Sequence, residues 1–85
     1  MVHKYVRHNV LGFILFPATD DLWHSSVGRF LLQRLEGSLI SAGFVYFQEN
    51  GLPKCYGESE SLEIKSKEED TALLIQQLGL KEKTT

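Results

Sequence analysis

The passage from Val10 to Leu39 constrains this chain more than any other. It opens with a bare apolar run, Val10-Leu11-Gly12-Phe13-Ile14-Leu15-Phe16, stopped by Pro17, and continues into apolar residues at helical spacing, Val27, Phe30, Leu31, Leu35 and Leu39. A strand apolar on both faces belongs inside a sheet. A helix with one apolar stripe can cover such a sheet. The pair points to an α+β fold, and 85 residues give room for one domain. Residues 1–80 are expected to form it, with 81–85 a disordered C-terminal tail.

Along the chain, Tyr5 to Phe16 reads as strand one, ending at Pro17, which has no N–H to give a ladder. Thr19, Asp20 and Asp21 offer helix N-caps. Helix one is expected from about Leu22 to Ala42, burying Trp23, Val27, Phe30, Leu31, Leu35, Leu39 and Ala42. Gly28 and Gly37 would each cost this helix about 1 kcal/mol against alanine, which a close approach to the sheet or to a partner helix would explain. Gly43 suits the C′ position. Phe44–Gln48 reads as strand two. Glu49–Pro53 is a turn carried by Asn50-Gly51, and Lys54–Glu58 is strand three. Gly57 marks a bulge, with Leu62 and Ile64 pointing inward beyond it. Ser66-Lys67-Glu68-Glu69 has the pattern of a capping box. The helix after it runs to Leu78, with Ala72, Ile75, Leu78 and one of Leu73 or Leu74 on its apolar face. Gly79-Leu80 reads as a Schellman ending.

The resulting order, β-α-β-β-α, resembles a truncated ferredoxin-like domain in element order alone, and no site residues follow from that resemblance. It implies a two-layer sandwich with a three-stranded mixed sheet. A right-handed crossover makes strands one and two parallel, the hairpin adds strand three antiparallel, and both helices lie on one face. The opposite face stays bare, and a bare apolar face invites a second copy or another protein.

An apolar fraction of 42% suffices for a core. No apolar stretch approaches the roughly 20 residues of a membrane span. The segment Met1–Tyr5 is polar and leads into a strand, unlike a signal peptide. Cys55 is the single cysteine, so no internal disulfide forms, and a cytoplasmic setting is expected. The net charge of −2 is uneven, since residues 58–85 carry seven acids against four lysines. The one basic cluster, His3-Lys4 with Arg7-His8, is short, which disfavours nucleic acid as a partner.

This topology sorts the polar residues into two ends. One end gathers Asp20, Asp21, Trp23, His24, Ser25, Glu49, Asn50 and Lys54. Within it Trp23, His24 and Lys54 form the candidate ligand site, an aromatic, an imidazole and an amine where α/β units place ligands. Phosphate is disfavoured, because Asp20 and Asp21 would occupy the helix amides and repel an anion. Asp20 and His24 share a helical face, but two ligands fall short of a metal set. The other end gathers His3, Lys4, Arg7 and His8 with Glu58 and Glu60. There a His–carboxylate pair offers acid–base chemistry, or a plain cross-strand pair worth roughly 0.2–1 kcal/mol. Cys55, alone in a strand, is most simply a small buried hydrophobe. Tyr5, Tyr46 and Tyr56 lie on or near strands, where they would make a stacking platform for single-stranded nucleic acid.

These residues call for no cofactor and no metal. The first functional expectation is a small non-catalytic interaction or regulatory module, homodimeric. The alternatives are a single-stranded nucleic-acid binder using the sheet tyrosines, and a small-ligand binder or enzyme at the Trp23–His24 end.

Overall fold

In the computed structural model of the chain, which describes residues 2–19, 23–34 and 36–80 (backbone only at 31–34), the apolar run is not one strand. It turns back on itself. β1 (Val2–His8) and β2 (Gly12–Pro17) form an antiparallel hairpin with Val6 opposite Ile14. The turn between them has an apolar tip, with Val10 72% exposed, which is why the run reads as continuous. Two features make the turn. Gly12 takes φ +78°, a conformation that favours glycine. The buried His8 accepts the amides of Val10 and Leu11 at Nδ1, 3.1 and 3.2 Å away.

α1 (His24–Arg34) is shorter than its apolar spacing suggests. Leu39 and Ala42, expected on its stripe, lie instead in β3 (Leu39–Phe47). Gly37 lies in the connection beside the His8 ring, and Gly43 lies inside β3 rather than ending a helix. The segment 39–43 misleads because Ser41, Ala42 and Gly43 are all small and all buried. A strand buried on both faces loses its alternating signature. Trp23 and Phe30 are exposed, while Val27 packs inward. The expected N-caps Asp20 and Asp21, the helix start at Leu22, the side chains of Leu31 and Leu35, and the tail 81–85 lie outside the described residues.

β3 pairs antiparallel with β1 on one side and with β4 (Pro53–Tyr56) on the other. The result is a four-stranded antiparallel sheet in the order β2-β1-β3-β4, not a three-stranded mixed one, and the expected parallel crossover is absent from it. The β3–β4 turn is the expected one: Gly51 donates to the Gln48 carbonyl at 2.9 Å and Asn50 Oδ1 accepts the Leu52 amide. β5 (Glu58–Ser59) and β6 (Ile64–Lys65) form a separate two-stranded hairpin, and α2 (Asp70–Gln77) follows. The element order thus departs from the ferredoxin-like one.

The helices sit on opposite faces of the sheet, not on one. Side chains alternate along a strand, so Tyr5 and Val6 face opposite ways. Tyr5, Phe13 and Val45 pack with Leu74 of α2. Val6, Phe16 and Ala42 pack with Val27 of α1 and with Leu62 and Ile64 of the β5–β6 hairpin, which point inward as expected. A register shift at Arg7/His8 makes Ile40 an extra residue in β3. That bulge turns Leu39 toward α1. There a Cβ on the buried Gly28 would stand 2.8 Å from Leu39 Cδ1, so this glycine does mark a close approach.

α2 reaches all four strands with polar side chains. Asp70, fully buried, accepts Tyr5 Oη at 2.6 Å and Arg7 Nη1 at 3.0 Å from β1, and Ser41 Oγ at 3.0 Å from β3. Its second oxygen also accepts the Lys67 amide at 2.9 Å. Thr71 Oγ1 accepts the Cys55 amide of edge strand β4 at 2.9 Å. Gln77 pairs with edge strand β2 as a further strand would, accepting from the Phe13 amide at 2.8 Å and donating to its carbonyl at 3.0 Å. The expected capping box does not form: Ser66 Oγ donates to the Gly57 carbonyl at 2.8 Å, and the helix starts at Asp70. Leu74 and Ile75 are its buried apolar residues, whereas Ala72 and Leu78 are exposed. The Schellman ending is present, with Gly79 donating to Gln76 and Leu80 to Ile75, each at 3.1 Å.

Two outcomes follow from these clamps. Asp70→Asn should destabilise the domain by about 3–5 kcal/mol, since it strands Arg7 and faces buried donors with an amide nitrogen; urea denaturation measures it, and a loss under 1 kcal/mol would contradict the role given to this carboxylate. Gln77→Ala should cost about 1–2 kcal/mol and speed hydrogen exchange at the Phe13 amide. Unchanged exchange at Phe13 would mean that the β2 edge is closed by something else.

Candidate functional site

On the α1 face of the sheet a groove of about 770 Å³ opens between β1, the start of α1, and the β5–β6 hairpin. Its walls carry Trp23 and His24 from α1 and the residue before it, Lys4 of β1, Phe44 of β3, and Glu58, Glu60 and Ser61 of the β5–β6 segment. Strand register explains the placement. Lys4 stands opposite both Phe16 and Phe44, and Phe44 stands opposite Tyr56, so these residues share one face. Their rings form a continuous row. The His24 ring meets Phe16 and Phe44 edge-on at 5.6 and 5.4 Å, Phe44 stacks on Tyr56 at 5.8 Å, and Tyr56 meets Tyr46 at 5.6 Å.

Hydrogen bonds hold the rim. Ser61 Oγ accepts the Ser25 amide in the first turn of α1 at 3.2 Å, tying the hairpin to the helix. Ser59 Oγ accepts the Leu62 amide at 3.2 Å and stands 3.4 Å from Ser61 Oγ. Lys4 Nζ donates to the Thr19 carbonyl at 3.2 Å, along the loop that leads to α1.

His24 is the chemical centre of the groove. It is only 4% exposed, and its Nε2 lies 2.7 Å from the Gly43 carbonyl. A carbonyl only accepts, so Nε2 carries the proton. Burial lowers the pKa of the ring, the Lys4 charge lowers it further, and the Gly43 bond opposes both. The ring is therefore neutral at pH 7. Its Nδ1 presents a bare lone pair with no hydrogen-bond partner among the described residues. Neither Glu58 nor Glu60 forms an ion pair among the described residues; the ion pairs there run from Arg7 to Glu69 and Asp70.

The two polar ends expected from the sequence are thus recombined. Trp23 and His24 come together with Glu58 and Glu60, which belonged to the other end. Lys54 is absent from this groove and stands opposite Tyr46 in the β3–β4 ladder. Arg7 lies on the α2 face, bound to Asp70, and His8 is buried in the β1–β2 turn, so neither joins Glu58 or Glu60. Lys4, Phe44 and Ser61 were missed as groove residues. The available signal for Lys4 was Asn9 and Gly12 bracketing a tight turn, which reverses the first strand and carries its polar start to the α1 end.

Other candidates lose their chemistry. Cys55 sits on the α2 face, where burial and the Asp70 charge push its thiol up to about 11, a neutral thiol at pH 7. Tyr5 is buried with its hydroxyl on Asp70, so Tyr46 and Tyr56 alone of the three tyrosines stand at the surface. No group of three or more His, Cys, Asp or Glu among the described residues is placed to hold a metal ion. Among them, no helix is long and apolar enough to cross a membrane.

No protein-family model, curated protein or solved structure matches this chain. The groove must therefore be read from its own chemistry.

The state of His24 has a measurable consequence. The unfolded chain takes up this proton near pH 6.5 and the folded chain only at lower pH, so between those values the unfolded state binds more protons. Stability should be fully present above about pH 6.5 and fall as the pH drops below it. Urea midpoints measured from pH 7.5 to 5 should decline, and His24→Gln should flatten the part of the slope due to this ring. An equally steep decline in the variant would contradict the assignment.

Proposed function

We propose that this chain is a small non-catalytic binding module whose site is the groove walled by Trp23, His24, Phe44, Glu58 and Glu60. The observation that carries the reading is His24. Its Nε2–H is committed to the Gly43 carbonyl, which orients a neutral ring and leaves Nδ1 as an acceptor in a ring-lined groove. Concave sites with aromatic walls and a few polar groups are where small molecules bind.

Binding is favoured over catalysis because no hydroxyl or thiol hydrogen-bonds to His24 among the described residues, so the imidazole has no nucleophile to activate there. The homodimer loses its geometric ground: it rested on one bare sheet face, and here a helix packs on each face. The nucleic-acid reading is weakened in the same way, with Tyr5 interior and Arg7 bound to Asp70.

Fragment screening by amide chemical-shift perturbation tests the site. Hits should move the resonances of Trp23, Phe44 and Ser61 together. Hits confined to the turn region Tyr46–Asn50, or none at millimolar concentrations, would overturn the reading.

A further inference from the structure

We infer that the groove is built for an organic cation, a protonated amine carried on a flat apolar group. The inference rests on the groove being the binding site and adds the class of ligand.

The first argument is an inventory of hydrogen-bonding groups. His24 Nδ1, Glu58 and Glu60 all accept, and none has a donor partner among the described residues. The His24 ring is buried but water still reaches its Nδ1 in the open groove, so a ligand that displaces this water must supply a donor in its place. A ligand without N–H donors would leave these acceptors dry, which costs binding free energy. An anion would be repelled by two carboxylates. A primary ammonium has three N–H donors and the matching charge.

The second argument concerns charge and π surface. Among the described groove residues two carboxylates, Glu58 and Glu60, stand against one cation, Lys4, whose Nζ donates to the Thr19 carbonyl at 3.2 Å. Lys4 also helps hold the imidazole unprotonated, which keeps Nδ1 an acceptor. Trp23 is 58% exposed at the groove wall, and Phe44 belongs to the same lining. An exposed indole attracts a cation through the ring quadrupole and stacks on a flat apolar group, and the half-buried phenyl ring adds apolar surface. The acids thus set the sign of the ligand, the buried imidazole sets the direction of an N–H, and the rings set its shape.

The test uses three probes of one skeleton: phenethylammonium, neutral 2-phenylethanol and anionic 3-phenylpropionate. Trp23 is the single tryptophan, so its fluorescence reports the groove directly. Phenethylammonium should bind about tenfold or more tightly than the alcohol, and the propionate weakest. The double variant Glu58→Gln/Glu60→Gln should lower amine affinity about tenfold and leave that of the alcohol unchanged. Both residues are exposed, and an unchanged urea midpoint confirms that the variant folds. If the alcohol or the propionate binds as well as the amine, or if the double variant binds the amine unchanged, the cation assignment falls while the groove stands. If none of the three alters Trp23 fluorescence or the Trp23 and Ser61 amide shifts, the groove itself is not the site and both readings fall.

Discussion

The carboxylate of Asp70 is the interaction on which the rest of this structure depends. A lone carboxylate at zero exposure would cost several kcal/mol or more. Here Arg7 supplies the opposite charge, and Tyr5, Ser41 and the Lys67 amide supply hydrogen bonds. Those donors come from two strands and from the turn before α2. A one-residue slip of β1 against β3 would send Tyr5 and Arg7 to the other face and leave the carboxylate without them. The pair therefore specifies register as well as stability. Burial, together with the hydrogen bond to Asp70 and its charge, holds the Tyr5 phenol well above its ordinary range and so keeps it a donor.

The sheet thereby acquires two faces with different tasks. On one, α2 anchors the strands and closes both edges through Gln77 and Thr71, with Pro53 adding an edge position that has no N–H. On the other, α1 and the β5–β6 hairpin cover the sheet incompletely and leave the groove. Its strongly buried polar group, His24, is neutral and tied to the backbone at one nitrogen. Separation of anchor and groove means that Glu58, Glu60 and Trp23 can vary without touching the Asp70 network.

Much of the local structure was legible in the sequence. Asn50-Gly51 marked its turn, Gly79-Leu80 its helix end, and Leu62 and Ile64 their inward direction, because each signal is local and steric. The hairpin at 9–11 was hidden by an apolar tip, Val10 and Leu11, where turns usually show polar residues. The strand at 39–47 was hidden by small residues buried on both faces. Missing the reversal at 9–11 put Lys4 at the wrong end of the sheet, and reading strand three on through Glu58 kept Glu58 and Glu60 in the sheet, whereas the chain leaves it after Tyr56 to form the β5–β6 hairpin on the α1 face. Asp70 was invisible for a different reason: its partners Tyr5 and Arg7 lie 65 and 63 residues away, and no local pattern records them.

That separation also dictates the order in which the molecule can be assembled. A ribosome delivers all of β1 through β4 before α2 exists, so the emerging sheet has Arg7 without its counter-charge and two edges uncapped. Contacts this distant in sequence close slowly, because chain entropy must be lost before they form. Eight residues, Asp70–Gln77, thus supply the counter-charge and close both edges of a sheet made entirely of the chain before them.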